Sequence, residues 1–273
     1  MYQVGWFSTG RGPGSRQLLK TVQESIEKGE IKARLAFVFC SREPGESPQT
    51  DLFFDQVKSY GIPLVCYSYT KFKAQQGAEV VSQSDQFPTW RLLYDREVIK
   101  RLEGFRADLC LLAGYMLIVG EEMCRHYVML NLHPAAPNGP AGTWQQVIWK
   151  LMEQRAEQSG VMMHLVTPQL DRGPVTTYCT FSLRGQPFDR LWQELGNKSV
   201  TDIQKNEGEN HPLFRLIRQQ GVTREQPLIA ATLKAFSEGR VKVQRQQVLD
   251  AQGKPVPGYD LTREIETKIN GTK

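Results

Sequence analysis

Apolar residues along this chain switch between two spacings, and the switching predicts the architecture. Residues 2–8, YQVGWFS, are an apolar, β-prone run. They lead through the glycine-rich GRGPGSR into residues 17–30, where Leu18, Leu19, Val22 and Ile26 recur at helical spacing. The order strand, turn, helix then repeats. ARLAFVFC (33–40) reads as a buried strand, DLFFDQVKSYG (51–61) as a helix ending at Gly61, and IPLVCYSY (62–69) as a third strand. YDREVIKRLEGFR (94–106) predicts a charged amphipathic helix, ADLCLLAGYM (107–116) a strand, and EEMCRHYV (121–128) a short helix. MLNLHP (129–134) is a strand and GTWQQVIWKLMEQR (142–155) a helix. VMMHLVTP (161–168) and PVTTYCTFSL (174–183) are strands joined by QLDRG. EQPLIAATLKAFSEGR (225–240) is a last amphipathic helix. The polar stretch from Lys205 to His211 predicts a mobile loop, and the residues beyond about Gln244 a short hairpin and tail.

Strands alternating with helices form βαβ units, so the fold class is α/β, with a mostly parallel central sheet flanked by helices. In such sheets ligands sit outside the carboxyl ends of the strands, where the strand order switches. GRGPGSR, GYM, NLHP and LDRG all follow strands and carry the chemistry-bearing residues. Residues 1–245 are expected to form one continuous domain, with 246–273 as a hairpin and tail packed on it.

Composition narrows the function classes. Of the 273 residues, 40% are hydrophobic and 23% charged, as in ordinary globular proteins. There is no apolar run long enough to span a bilayer and no basic-then-apolar leader at MYQVGWFSTG, so a cytoplasmic enzyme is expected. The net charge of +5 suits anionic small molecules but is too weak and dispersed to argue for nucleic acid. Cys40, Cys66, Cys110, Cys124 and Cys179 lack CxxC spacing and read as free thiols. The four histidines show no HxxxH or HExxH pattern, so no metal site is expected.

Three places remain for chemistry. In GRGPGSR, glycines fall at 10, 12 and 14, which is neither the dinucleotide fingerprint nor a Walker loop. The segment reads equally as a structural turn or as an anion site, with Ser15 capping the helix and donating to a phosphate. Asn131 and His133 flank Leu132 and so project to one side of a strand that Pro134 ends. Two donors converging there suit a carbonyl oxygen turning into an oxyanion. Asp171, in LDRG, would hold a nearby histidine protonated and accept a proton. Taken singly, each also fits a structural role: a hydrogen-bonding strand-end histidine, or a turn aspartate. His164 lies inside a strand and reads as packed or as supporting the site from behind. His126 and His211 read as surface residues.

At NLHP and HLVTPQLDRGPV the chain resembles the folate-dependent formyltransferases, and most of all the branch acting in purine synthesis. YDREVIKRLEGFRADLCLLAGYM, FSEGRV and LDAQGKPVPGYD carry the likeness along nearly the whole chain. The resemblance implies a Rossmann-like fold and transfer of a formyl group from 10-formyltetrahydrofolate, as co-substrate, to glycinamide ribonucleotide. It implies that Asn131, His133 and Asp171 are catalytic, and that Gly14, Ser15 and Arg16 hold the acceptor phosphate while Glu225 holds its ribose hydroxyls. Tyr115, Met116, Leu117, Ile118 and Val119 would line the pterin pocket. Leu170, Asp171, Arg172 and Gly173 would read the pterin edge, and Arg91 would lie near the folate tail. The chain departs from the family at Ala135-Ala136-Pro137, where Ser-Leu-Leu-Pro is usual, at Leu117 and Arg16, where Arg and Asn are usual, and in a longer polar insert over 185–221. These departures bear on the acceptor. They keep open another phosphorylated amine, hydrolysis of the formyl-folate, or a non-catalytic folate or nucleotide binder. Partners are expected to be small molecules, with neither nucleic acid nor membrane, and a homodimer stays open.

Overall fold

The structure is a computed structural model that describes residues 1–76 and 89–271. Strands β1 (Tyr2–Ser8), β2 (Ala33–Cys40), β3 (Leu64–Cys66), β4 (Leu109–Leu112), β5 (Met129–His133), β6 (Gln158–Leu165), β7 (Val175–Ser182) and β10 (Tyr259–Asp260) form one sheet in the order β10-β7-β6-β5-β4-β1-β2-β3. A hairpin of β8 (Val241–Gln244) and β9 (Gln247–Asp250) stands apart. Within the main sheet, among the described residues, only the β5–β6 and β6–β7 pairings are antiparallel, so that sheet is mostly parallel, as expected.

Both faces of the sheet are apolar because helices cover both. On one face Val4, Trp6, Val38, Leu111 and Leu130 pack against helices α1 (Pro13–Glu27), α2 (Pro48–Ser59), α9 (Pro212–Ser237) and α10 (Thr262–Gly271). On the other, Phe7, Phe37, Phe39 and Leu112 meet α3 (Tyr69–Gln75), α4 (Thr89–Arg101) and α5 (Glu121–His126). Alternation along β1 divides Trp6 from Phe7 between these faces. Both are fully buried, each contributing roughly 1.5–3 kcal/mol relative to exposure. A third cluster joins α6 (Trp144–Glu153), α7 (Phe188–Leu195), α8 (Val200–Asn206) and the start of α9 around Trp149, Trp192 and Phe214.

Several expected boundaries move. The third strand shrinks from 62–69 to Leu64–Cys66, and the strand over 107–116 to Leu109–Leu112. The expected loop at 205–211 is the end of α8 followed by a 3-10 turn at Gly208–Asn210, so the polar insert is helical. His211 precedes α9 and is buried, not superficial. The helix expected over 225–240 begins at Pro212 and runs through Pro227, whose ring leaves the Thr223 carbonyl without its helical donor, and the expected tail ends in a further helix, α10. The hairpin starts at Val241, before the expected boundary at 245, and the segment after it returns to the main sheet as β10. Among the described residues no helix is long and apolar enough to cross a membrane.

Candidate active site

The chain runs from β1 outward through β2 to β3, then crosses back to place β4 and β5 on the other side of β1. The switch in strand order therefore lies between β1 and β4, and their C-terminal loops open a crevice there. The two loops are tied together. The Thr9 N–H donates to the Gly114 carbonyl (3.0 Å), and the Met116 N–H donates to Thr9 Oγ1 (3.0 Å). Gly114 has φ +72°, a left-handed conformation that favours glycine, and a Cβ there would lie 2.7 Å from Ser15 Oγ.

β5 delivers Asn131 and His133 to the same crevice, on one face, as their alternation predicts. β6 runs antiparallel beside it and sets His164 opposite Asn131 in register. One nitrogen from each of His133 and His164 and one oxygen of Asp171 lie within 4.8 Å of one another. Among the described residues this is the one group of side chains spaced to hold a cation. Asp171 reaches it from the 166–174 connection with a left-handed φ of +54°. Its contact within ion-pair reach is His164 Nε2, at 3.7 Å, so the carboxylate faces both histidines rather than His133 alone. His133 is buried, its Nε2 3.1 Å from the Pro140 carbonyl, which can only accept.

His164 does more than pack. Its Nδ1 lies 3.1 Å from the Leu165 carbonyl, so in the neutral ring Nδ1 carries the proton. Nε2 then accepts from Asn131 Nδ2 at 3.2 Å. That bond fixes the orientation of the Asn131 amide. Burial holds the His164 pKa below its usual value, although the Leu165 carbonyl and Asp171 pull it upward. His211 is also lowered by burial. Both rings thus stay neutral in the fold and take up protons more readily once unfolded. Their contribution to stability is complete above the unfolded pKa of about 6.5 and is lost as pH falls from there through their lower folded values. Thermal midpoints should fall between pH 7.5 and 5.5, and His164→Gln should flatten that slope. An unchanged slope in the variant would exclude His164 as its source.

On one side of the crevice, residues 115–119 divide. Tyr115 and Val119 are buried and Leu117 packs partly against the same aromatic cluster, while Met116 and Ile118 are 58% and 40% exposed. Leu170, in the connection after β6, is likewise an exposed apolar side chain, at 59%. Arg172 is exposed. Gly173 is required by contact, since a Cβ there would overlap the Leu165 carbonyl oxygen. Arg91 departs from the expected tail-binding role. It is 4% exposed and paired with Asp95 at 2.8 Å.

On the other side, α1 is capped by Gly12 with Pro13 following, and Ser15 does not cap it. Gly14 is open, and the first N–H groups of a helix lack intrahelical partners, which suits an anion. Arg16 is held beside the turn by Gln49 through Nη1, at 2.9 Å to Oε1. Glu225 is half-buried and paired with Arg218 at 2.6 Å. Its neighbour Gln226 accepts from Thr21 of α1 at 3.2 Å.

Comparison with known proteins agrees with this geometry. The formyl transferase family model matches residues 13–180, more than half of the chain. Phosphoribosylglycinamide formyltransferase of Escherichia coli (strain K12) is 27% identical over 175 residues, covering 62% of this chain and 68% of that protein. The structure of the Coxiella burnetii phosphoribosylglycinamide formyltransferase superposes with a TM-score of 0.66 at 18% identity, covering 95% of this chain and 98% of that one. A formyltetrahydrofolate deformylase from Burkholderia mallei superposes with a TM-score of 0.60 at 16% identity, over 91% of this chain and 69% of that one. A Rossmann-like sheet, a crevice at its switch point and a family match that runs through both the turn at 13–16 and the Asp171 loop lead to one assignment: the chain belongs to the formyl transferase family.

Proposed function

We propose that this protein transfers the formyl group of 10-formyltetrahydrofolate to the amine of glycinamide ribonucleotide. The observation that carries the reading is the convergence of Asn131, His133, His164 and Asp171 at the C-terminal end of β5. The name of the Escherichia coli relative supports this choice of acceptor. Met116, Ile118 and Leu170 hold the pterin, and Gly14, Ser15 and Arg16 hold the acceptor phosphate. Glu225 meets the ribose, with Arg218 as its partner.

Asn131, through its second N–H, and His133, as imidazolium, stabilise the oxyanion that develops when the amine nitrogen bonds to the formyl carbon. Asp171 receives the proton that the amine sheds and relays it to N10 of the folate as the carbon–N10 bond breaks. His164 keeps Asn131 oriented. Holding both substrates in one crevice supplies orientation, and no step of this scheme calls for a metal.

The test is loss of 10-formyltetrahydrofolate, followed by absorbance, with and without glycinamide ribonucleotide. Turnover that requires the ribonucleotide is expected. Loss of the formyl-folate without any acceptor would replace this reading with hydrolysis, the activity in the name of the Burkholderia mallei neighbour. Donor binding without turnover would replace the acceptor with another phosphorylated amine.

A further inference from the structure

Arg91 and Asp95 sit one turn apart on α4, and both are almost wholly buried, at 4% and 1% exposure. A helix carrying so many charges leaves most of them in water, so a buried pair on it needs a structural reason. The reason lies across the interface in the loop after β4. Arg91 Nε and Nη2 both donate to the Ile118 carbonyl, at 3.1 and 2.5 Å, while Nη2 also donates to Asp95 Oδ1 at 2.8 Å. The other carboxylate oxygen, Asp95 Oδ2, accepts the Gly120 N–H at 2.7 Å. Gly120 is the N-cap of α5, so the pair holds two points of one loop and the start of the next helix. The guanidinium lies 5.3 Å from the Trp90 ring and 5.1 Å from the Tyr94 ring, and its third nitrogen, Nη1, is buried without a hydrogen-bond partner. No face of the guanidinium is open to a ligand in the crevice.

Ile118 is the residue so held, and its side chain and that of Met116 are exposed and apolar. We propose that Arg91 and Asp95 are positioning residues that brace the 115–120 wall of the donor pocket, and that Arg91 makes no contact with the donor's glutamate tail. This rests on the folate reading above. A brace acts by keeping the wall in its binding-competent arrangement. Releasing it lowers the competent fraction and raises every donor's dissociation constant by the same factor. A tail contact instead affects only donors that carry the tail.

The experiment measures quenching of protein fluorescence by two probes, 10-formyltetrahydrofolate with one glutamate and 10-formyltetrahydropteroate without it. The proteins are wild type, Arg91→Lys and Asp95→Asn. Lysine keeps the charge without the fork, and asparagine keeps the size without the charge. Thermal unfolding establishes which variants are folded, and either variant alone suffices. The expected result is a rise of about tenfold in the dissociation constant, equal for both probes, with kcat at saturating donor within a few-fold of wild type. Weakening confined to the glutamylated probe in Arg91→Lys would overturn the brace in favour of a tail contact. Folded variants that bind both probes as wild type does would overturn it outright. Wild-type protein that binds neither probe would overturn the folate reading, and the brace with it.

Discussion

Replacing His133 with alanine should lower kcat by about 10²–10³ while leaving the affinity for the formyl donor near that of wild type. The ring is buried at the end of β5, beside Asp171 and His164, whereas Met116, Ile118 and Leu170, proposed to hold the pterin, are exposed. Its removal takes away a donor that strengthens its hold only as charge grows on the formyl oxygen, so the loss belongs to the transition state and not to ground-state binding. The substitution also frees the Pro140 carbonyl, so the variant's thermal midpoint belongs beside the kinetics. Steady-state kcat and donor quenching on the same preparation check the split. A kcat within threefold of wild type in a folded variant would remove His133 from the chemistry.

Gly173→Ala should damage both stability and turnover. The added methyl group would overlap the Leu165 carbonyl oxygen, and backbone cannot yield as a flexible side chain can. Overpacking of this kind typically costs about 1–3 kcal/mol. The same oxygen lies 3.1 Å from His164 Nδ1, and His164 Nε2 lies 3.2 Å from Asn131 Nδ2. A shift at residue 173 therefore passes through two hydrogen bonds to the Asn131 amide, proposed above to meet the oxyanion, and it also moves Asp171, two residues away. Gly221→Ala is the contrasting control. Within α9 a Cβ there meets nothing within 4 Å, and the helix should gain roughly 0.5–1 kcal/mol. Denaturant midpoints of the two variants should move in opposite directions, with only Gly173→Ala losing kcat. Equal midpoints would show that the connection at residue 173 adapts.

The site's backbone was legible because its signals are local. Asn131, Leu132, His133 and Pro134 announce a strand end by alternation and a breaker, and β5 ends at His133. GRGPGSR announces a strand-to-helix turn. Partnership across the sheet was less legible. His164 meets Asn131 because β6 lies antiparallel to β5, a pairing 33 residues apart that periodicity along the chain does not encode. Arg91 and Asp95 carry the charge pattern of a solvated helix face, and only the loop after β4 accounts for their burial. Ser15 resembled a cap because serine is a good one, but Pro13 had already set the helix start. At the far end, Gly221 and Pro227 argue against a long helix, yet Phe214, Ile217, Leu228 and Phe236 bury enough surface to carry α9 past both.

The short strand β10 bears on how the chain is made. Tyr259 and Asp260 pair with Thr177 and Tyr178, the Leu261 N–H donates to the Tyr178 carbonyl, and the Thr180 N–H donates to Thr262 Oγ1. This stretch covers the outer edge of β7. On the ribosome, some eighty residues separate the synthesis of β7 from that of its cover, which at about 5–20 residues per second leaves the edge bare for several seconds. An uncovered strand edge is a template for pairing with other chains. The nascent protein thus passes through an interval in which its half-built sheet is adhesive, and the arrival of residues 259–262 ends it.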